Sequence, residues 1–160
     1  MTRPLLVLVG MPGSGKSSVA RAVGERLGAP VADTDALVAE RAGRPEQDAF
    51  VDLGEDRFRD LERAVVTEVL SGRLPAVGAG TPGAIVALGS GAVEHAAPDL
   101  AAARAAGTRV VHLDVALAQA APRSGMVGSQ PMGLGAPRAL LAQFAAARRP
   151  VYESAADTTV

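Results

Sequence analysis

Five apolar residues, Leu5-Leu6-Val7-Leu8-Val9, run directly into Gly10-Met11-Pro12-Gly13-Ser14-Gly15-Lys16-Ser17. The apolar run is continuous rather than alternating, which predicts a strand covered on both faces. The residues after it match G-x-x-x-x-G-K-[ST], and Ser17 to Leu27 reads as a helix stopped by Gly28. Val19, Val23 and Leu27 are expected to form that helix's inward face. A strand, a glycine-rich loop and a helix start in this order make a phosphate cradle. Glycines permit positive φ, so successive N–H groups can converge on one anion, and the helix N-terminus adds its dipole. Gly13, Ser14, Gly15, Lys16, Ser17 and Ser18 are the expected phosphate-binding residues. Lys16 can reach the β- and γ-phosphates, and the Ser17 hydroxyl can ligate Mg²⁺. The cradle implies a nucleoside triphosphate.

The rest of the chain limits what surrounds this cradle. Its 160 residues suit one domain with a single core. Aromatics supply only 2% of the residues, so Ala, Val and Leu must build that core. A net charge of −1 gives no field to recruit nucleic acid or an anionic membrane. Cysteine is absent and His95 and His112 are the only histidines, which argues against thiolate or imidazole metal sites. The apolar N-terminal run is too short for a signal peptide or a membrane span. A cytoplasmic protein is expected.

Along the chain, a short strand near Pro30 to Ala32 leads into Asp33-Thr34-Asp35. Thr34 or Asp35 is expected to cap a helix over Ala36 to Ala42, closed by Gly43. Helices follow at Glu46 to Leu53 and Asp56 to Leu70. The second turns Phe58, Leu61, Val65, Val69 and Leu70 inward, with Arg57, Arg59, Asp60, Glu62 and Arg63 elsewhere. Ser71 to Gly83 reads as a loop, Ala84 to Leu88 as a strand ending in Gly89-Ser90-Gly91, and Leu100 to Ala106 as a helix. Arg109 to Leu113 is a strand, Pro122 to Pro137 a mobile segment, Arg138 to Arg148 a helix, and Thr158 to Val160 a last strand. Strands alternating with helices predict an α/β fold on a parallel sheet, with ligands at the strands' carboxyl ends.

The guanine-reading N-K-x-D of a GTPase is missing, and the strand ending at Gly89 lacks the acidic cluster expected of an ATPase motor. A small-molecule kinase remains. Asp33 and Asp35, just past a strand, can both face the cleft. One can support Mg²⁺, and the other can accept a hydrogen bond, and then a proton, from an acceptor hydroxyl. Helix capping is the competing use of Asp-Thr-Asp.

Asp33-Thr34-Asp35, Gly54-Glu55-x-x-Phe58-Arg59-x-x-Glu62, the Gly89-x-Gly91-Ala92-Val93 turn and Arg148-Arg149-Pro150-Val151-Tyr152 follow the cradle in order. From residue 4 to about residue 157 this pattern resembles the shikimate kinase family. The resemblance implies a P-loop, nucleoside monophosphate kinase-like fold: a three-layer α/β domain with a five-stranded parallel sheet and a mobile lid. It implies one domain over residues 1–160, with an acceptor-binding subregion at about 33–62 and the lid at about 122–137. It further implies transfer of the ATP γ-phosphate to the 3-hydroxyl of shikimate, in aromatic amino-acid biosynthesis, by a monomer needing Mg²⁺ and neither nucleic acid nor membrane.

By position, Asp33 would support the metal with Ser17, and Asp35 would bind shikimate and act as base beside Lys16. Arg59 and Arg148 would grip the carboxylate, a task suited to a bidentate guanidinium. Gly89 and Gly91 would line the acceptor through backbone N–H groups, and Arg123 would stack on adenine. Arg149 can take the Arg148 role under a one-residue shift.

Departures from the pattern leave alternatives open. Ser90 replaces the middle of a glycine triplet, and Gln130 stands where the family's lid carries an arginine. The link from Ser71 to Ala87 is longer than usual, and the sequence stops at Val160, which implies truncation or loss of part of the base platform. A catalytically impaired homologue that binds nucleotide or shikimate, and a related gluconate-type kinase, therefore stand beside the active shikimate kinase.

Overall fold

The apolar run becomes β1 (Pro4–Val9), the central strand of the molecule. In the computed structural model, which describes residues 3–73, 83–124 and 137–160, it is flanked by β3 (Ala84–Ala87) and β4 (Arg109–His112). The edges are β2 (Val31–Asp33) beside β3 and β5 (Thr158–Thr159) beside β4. Every pairing is parallel, in the order β2-β3-β1-β4-β5. Val7, Leu8, Val9, Ile85, Val86 and Val110 are fully buried, as strands covered on both faces require.

Two apolar clusters make the layers. On one face Leu8, Ile85 and Ala87 pack with Ala20 of α1 (Lys16–Leu27). On the other, Val7, Val9, Val86 and Val110 meet the remaining helices. These include α2 (Thr34–Ala42), α3 (Glu46–Leu53), α4 (Glu55–Leu70), α5 (Ala97–Ala105) and α7 (Pro137–Ala155). A short α6 (Leu117–Ala120) precedes a 3₁₀ turn at Ala121–Arg123. This is the three-layer α/β architecture expected. Among the described residues no helix is long and apolar enough to cross a membrane.

Three local expectations are corrected. Of the expected inward face of α1 only Val23 packs against the core; Val19 and Leu27 are exposed, and Lys16, Ala20 and Gly24 are buried. The helix lies so close to the sheet that a Cβ at Gly24 would stand 2.4 Å from Val31 Cγ2, so only small residues fit there. Helix α2 starts at Thr34, capped by Asp33 rather than by Thr34 or Asp35: Asp33 Oδ1 accepts from the N–H groups of Asp35 and Ala36 at 3.2 and 3.4 Å. Finally, α7 does not stop at Arg148 but runs through Pro150 to Ala155. Proline removes one helical hydrogen bond, and the turn beyond it drives the fully buried Tyr152 into the core. The lid at 122–137, Gln130 within it and the 74–82 part of the expected loop lie outside the described residues, apart from Pro122–Ser124 and Pro137.

Candidate active site

The carboxyl ends of β1, β2 and β3 open onto a cleft of about 870 Å³. Its floor is the glycine-rich loop leaving β1. Gly13 and Gly15 adopt φ of +79° and +91°, and a Cβ on Gly13 would lie 2.2 Å from the carbonyl oxygen of Ala120. The conformation disfavours a larger residue at both, and at Gly13 the space excludes one as well. Pro12, Gly13, Gly15, Lys16, Ser17 and Ser18 line the cleft, with Arg123 from the turn after α6 beside them. Ser14 does not: its hydroxyl is buried without a partner among the described residues, and its N–H closes the turn onto Met11 O at 3.1 Å.

Lys16 is the only lysine of the chain and is 8% exposed. Its ammonium donates to Gly10 O and Met11 O at 2.9 Å each, and to Ser90 Oγ at 2.8 Å. Burial lowers its pKa to about 8, a shift opposed by the nearby carboxylates of Asp35 and Asp33. It is therefore mostly charged at neutral pH, with a small reserve.

Asp33 divides its two oxygens between the helix start and the cradle. Oδ1 caps α2, while Oδ2 accepts from the Ser17 hydroxyl at 2.5 Å. Among the described residues no cluster of three or more His, Cys, Asp or Glu side chains can hold a metal alone. Mg²⁺ commonly takes one or two protein oxygens beside phosphates and water, and the adjoining Ser17 and Asp33 oxygens fit that demand.

In the first turn of α2, Asp35 lines the cleft. Burial pushes its pKa up to about 6; Asp33 and, more weakly, Glu62 push the same way, and Lys16 opposes them. A carboxyl poised there is ionised at pH 7 yet remains a competent proton acceptor.

Gly89-Ser90-Gly91 carries the far wall. A Cβ on Gly89 would stand 2.1 Å from Asp35 Oδ1, and one on Gly91 3.3 Å from an Nη1 of Arg59 and 3.9 Å from Arg148 Nη1. The turn thus touches each residue expected to hold the acceptor. Its expected use through N–H groups needs correction at Gly89, whose N–H donates instead to Thr34 Oγ1 at 2.8 Å. Smallness at 89 makes room for Asp35, and Gly91 alone of the two glycines lines the cleft.

Arg59 donates to Glu62 Oε2 at 2.8 Å and stands over the Phe58 ring, 5.6 Å from its centroid. Arg148 donates to Ser90 O at 3.0 Å and lies 4.8 Å from the Phe144 centroid. Both guanidinium groups line the cleft. Arg149 instead faces outward, paired with Asp114 and Glu153, so of the two arginines only Arg148 meets the other cleft residues.

Sequence reasoning gave no site role to several participants. Glu62 was expected away from the core, but it is 3% exposed and its Oε2 also lies 2.8 Å from His95 Nε2. Its signal was the i,i+3 spacing from Arg59. Tyr152, the chain's single tyrosine, donates to Ser90 O at 3.1 Å. Phe50 packs edge-to-face on Phe58 at 5.3 Å and lines the cleft with Glu46, whose pKa burial raises to about 7. No local pattern announced these two.

Comparison with known proteins places this geometry in a family. The family model for shikimate kinase matches residues 12–160. The chain is 47% identical over 161 residues to a shikimate kinase of Thermobifida fusca (strain YX), covering 99% of this chain and 86% of the relative. It is 41% identical over 157 residues to one of Salinispora tropica, covering 98% and 87%. The solved shikimate kinase of Acinetobacter baumannii in complex with shikimate superposes with a TM-score of 0.79 at 27% identity, covering 99% of this chain and 83% of that one.

Proposed function

The chain belongs to the shikimate kinase family, and from that premise we propose that its cleft carries the ATP γ-phosphoryl group to the 3-hydroxyl of shikimate. The observation that supports this most is the meeting of two half-sites on one turn. Lys16 reaches Ser90 from the phosphate cradle, while Asp35, Arg59 and Arg148 pack around Gly89, Ser90 and Gly91. An acceptor held there would have one hydroxyl beside Asp35 and the phosphoryl donor beside Lys16.

In this reading the loop from Gly13 to Ser18 holds the triphosphate, and Arg123 faces the adenine. Ser17 and Asp33 would hold Mg²⁺, which when bound neutralises charge on the β- and γ-phosphates. Arg59 and Arg148 take the shikimate carboxylate in charge-assisted hydrogen bonds. Asp35 accepts the hydroxyl proton as the acceptor oxygen bonds to phosphorus and the bond to the ADP oxygen breaks. Lys16 faces the charge that develops on the phosphoryl oxygens. Positioning and charge supply most of the acceleration, as is general for phosphoryl transfer.

The acceptor-binding subregion spans about 33–62 within a single kinase domain. In this reading the enzyme works as a monomer in the cytoplasm, without nucleic acid or membrane. A coupled ADP-release assay with ATP, Mg²⁺ and shikimate, run against gluconate and a no-acceptor control, tests the proposal. Turnover that requires shikimate is expected; equal ADP release in all three would refute it.

A further inference from the structure

Ser90 sits on the turn between the two half-sites, and its side chain reaches across to Lys16 of the cradle. We propose that Ser90 is a positioning residue for phosphoryl transfer, its hydroxyl holding the Lys16 ammonium on the acceptor side of the cradle. The inference rests on the kinase reading above.

The hydrogen bonds of Lys16 carry the first part. An ammonium has three N–H donors and no acceptor, and here each donor has a named partner. Gly10 O and Met11 O belong to the same loop as the lysine. Ser90 Oγ comes from 74 residues further along the chain, on the turn after β3. It alone draws the charge toward Asp35 and the acceptor. Because the ammonium cannot accept, Ser90 Oγ must accept from it, and the hydroxyl proton stays free to point elsewhere.

The mounting of Ser90 carries the second part. Its carbonyl accepts from Arg148 Nη1 at 3.0 Å and from Tyr152 Oη at 3.1 Å. Tyr152 is fully buried, so this anchor is rooted in the core. The residue before it is fixed by the Gly89 N–H to Thr34 bond at 2.8 Å. A hydroxyl on so restrained a turn is a fixed reference point, and fixed groups lose little freedom at the moment of reaction. When a triphosphate enters, the ammonium exchanges its loop carbonyls for phosphate oxygens. The Ser90 bond keeps it in line between donor and acceptor.

A glycine or alanine at position 90 offers the ammonium no such acceptor.

The experiment compares wild type, Ser90→Ala and Ser90→Thr, the last of which keeps a hydroxyl, by two measurements. The first is the side-chain ¹⁵N signal of Lys16 at one fixed pH, without ligands; as the only lysine of the chain it can be observed selectively. The second is steady-state kinetics with each substrate varied. Ser90→Ala should move the Lys16 signal and lower kcat roughly tenfold to a hundredfold, with KM for ATP and shikimate within about threefold by the same reasoning. Ser90→Thr should restore both. An unmoved Lys16 signal in Ser90→Ala would overturn the proposal, as would an unaltered kcat or a loss carried by both KM values. Absence of shikimate-dependent turnover in wild type would refute the kinase reading alone, since the NMR signal still reports the Ser90–Lys16 contact.

Discussion

Glu62 lies one helical turn beyond Arg59 on α4 and accepts from its guanidinium at 2.8 Å, although Glu62 is almost completely buried. A buried carboxylate with one cation on one side and a histidine on the other is satisfied in place. It therefore holds Arg59 at the cleft wall, and in the proposed reading the remaining N–H groups of Arg59 take the incoming carboxylate.

Arg59→Ala should raise the KM for shikimate roughly tenfold to a hundredfold, the cost of a lost charge-assisted bond pair. The KM for ATP should stay within about twofold, because the cradle does not use Arg59. Glu62→Gln should raise the shikimate KM less, by releasing Arg59 without deleting it. Steady-state kinetics with each substrate varied would show this, and equal weakening of both ligands would count against the carboxylate role.

Asp35 provides a pH test. Its carboxyl must be ionised to accept a proton, so kcat/KM for shikimate should rise through about pH 6 and level above it. Asp35→Asn should remove that limb and lower kcat by about 10²–10⁴, the usual worth of a positioned base. Stability runs the other way. A folded-state pKa raised above the unfolded value means that the native protein binds the proton more tightly, so stability present below about pH 4 is lost as pH rises through about 6. Ionised Asp35 then costs the fold up to about 3 kcal/mol at neutral pH. Asp35→Asn should raise Tm at pH 7.5 more than at pH 5; a uniform or opposite change would show that burial is not what perturbs this group.

How much of this was legible in the sequence depends on range. The cradle was plain because its chemistry is local: strand, glycines, Lys16 and Ser17 are contiguous, and helix bounds such as Glu46–Leu53 followed from nearby breakers. Asp33-Thr34-Asp35 was read as a helix start, but which of the three capped α2 depended on where the backbone turned. The α1 face was misjudged because apolar bulk was taken to point inward, whereas close approach to the sheet selected Ala20 and Gly24. Glu62 and the Ser90 link to Lys16 were hidden for another reason. Their partners come from other elements, and a charged or hydroxyl residue on a helix or turn usually faces solvent.

The two adjacent arginines separate by environment. Arg148→Ala should raise the shikimate KM roughly tenfold or more, since its guanidinium lines the cleft. Arg149→Ala removes only an exposed pairing with Asp114 and Glu153, worth about 1 kcal/mol or less, and should leave both KM values within error. Kinetics of the two variants side by side would decide, and the reverse ranking would reassign the role.

Gly89→Ala isolates the fit behind Asp35. The added Cβ would meet a carboxylate oxygen at 2.1 Å, the far end of a movable side chain, so the fold should lose only about 1–2 kcal/mol. The displaced base should nevertheless lower kcat more than about tenfold. Thermal melting together with kcat measures both, and an unaltered kcat would mean that Asp35 does not need its present position.

The central claim is that a single cleft passes phosphate from ATP to one hydroxyl of shikimate. The most direct test is ³¹P and proton NMR of the product formed from ATP, Mg²⁺ and shikimate. The account predicts one new phosphate monoester, coupled to the proton on carbon 3 of the ring, appearing in step with ADP. Inorganic phosphate as the sole new phosphorus species besides ADP, or an ester on a different hydroxyl, would contradict it.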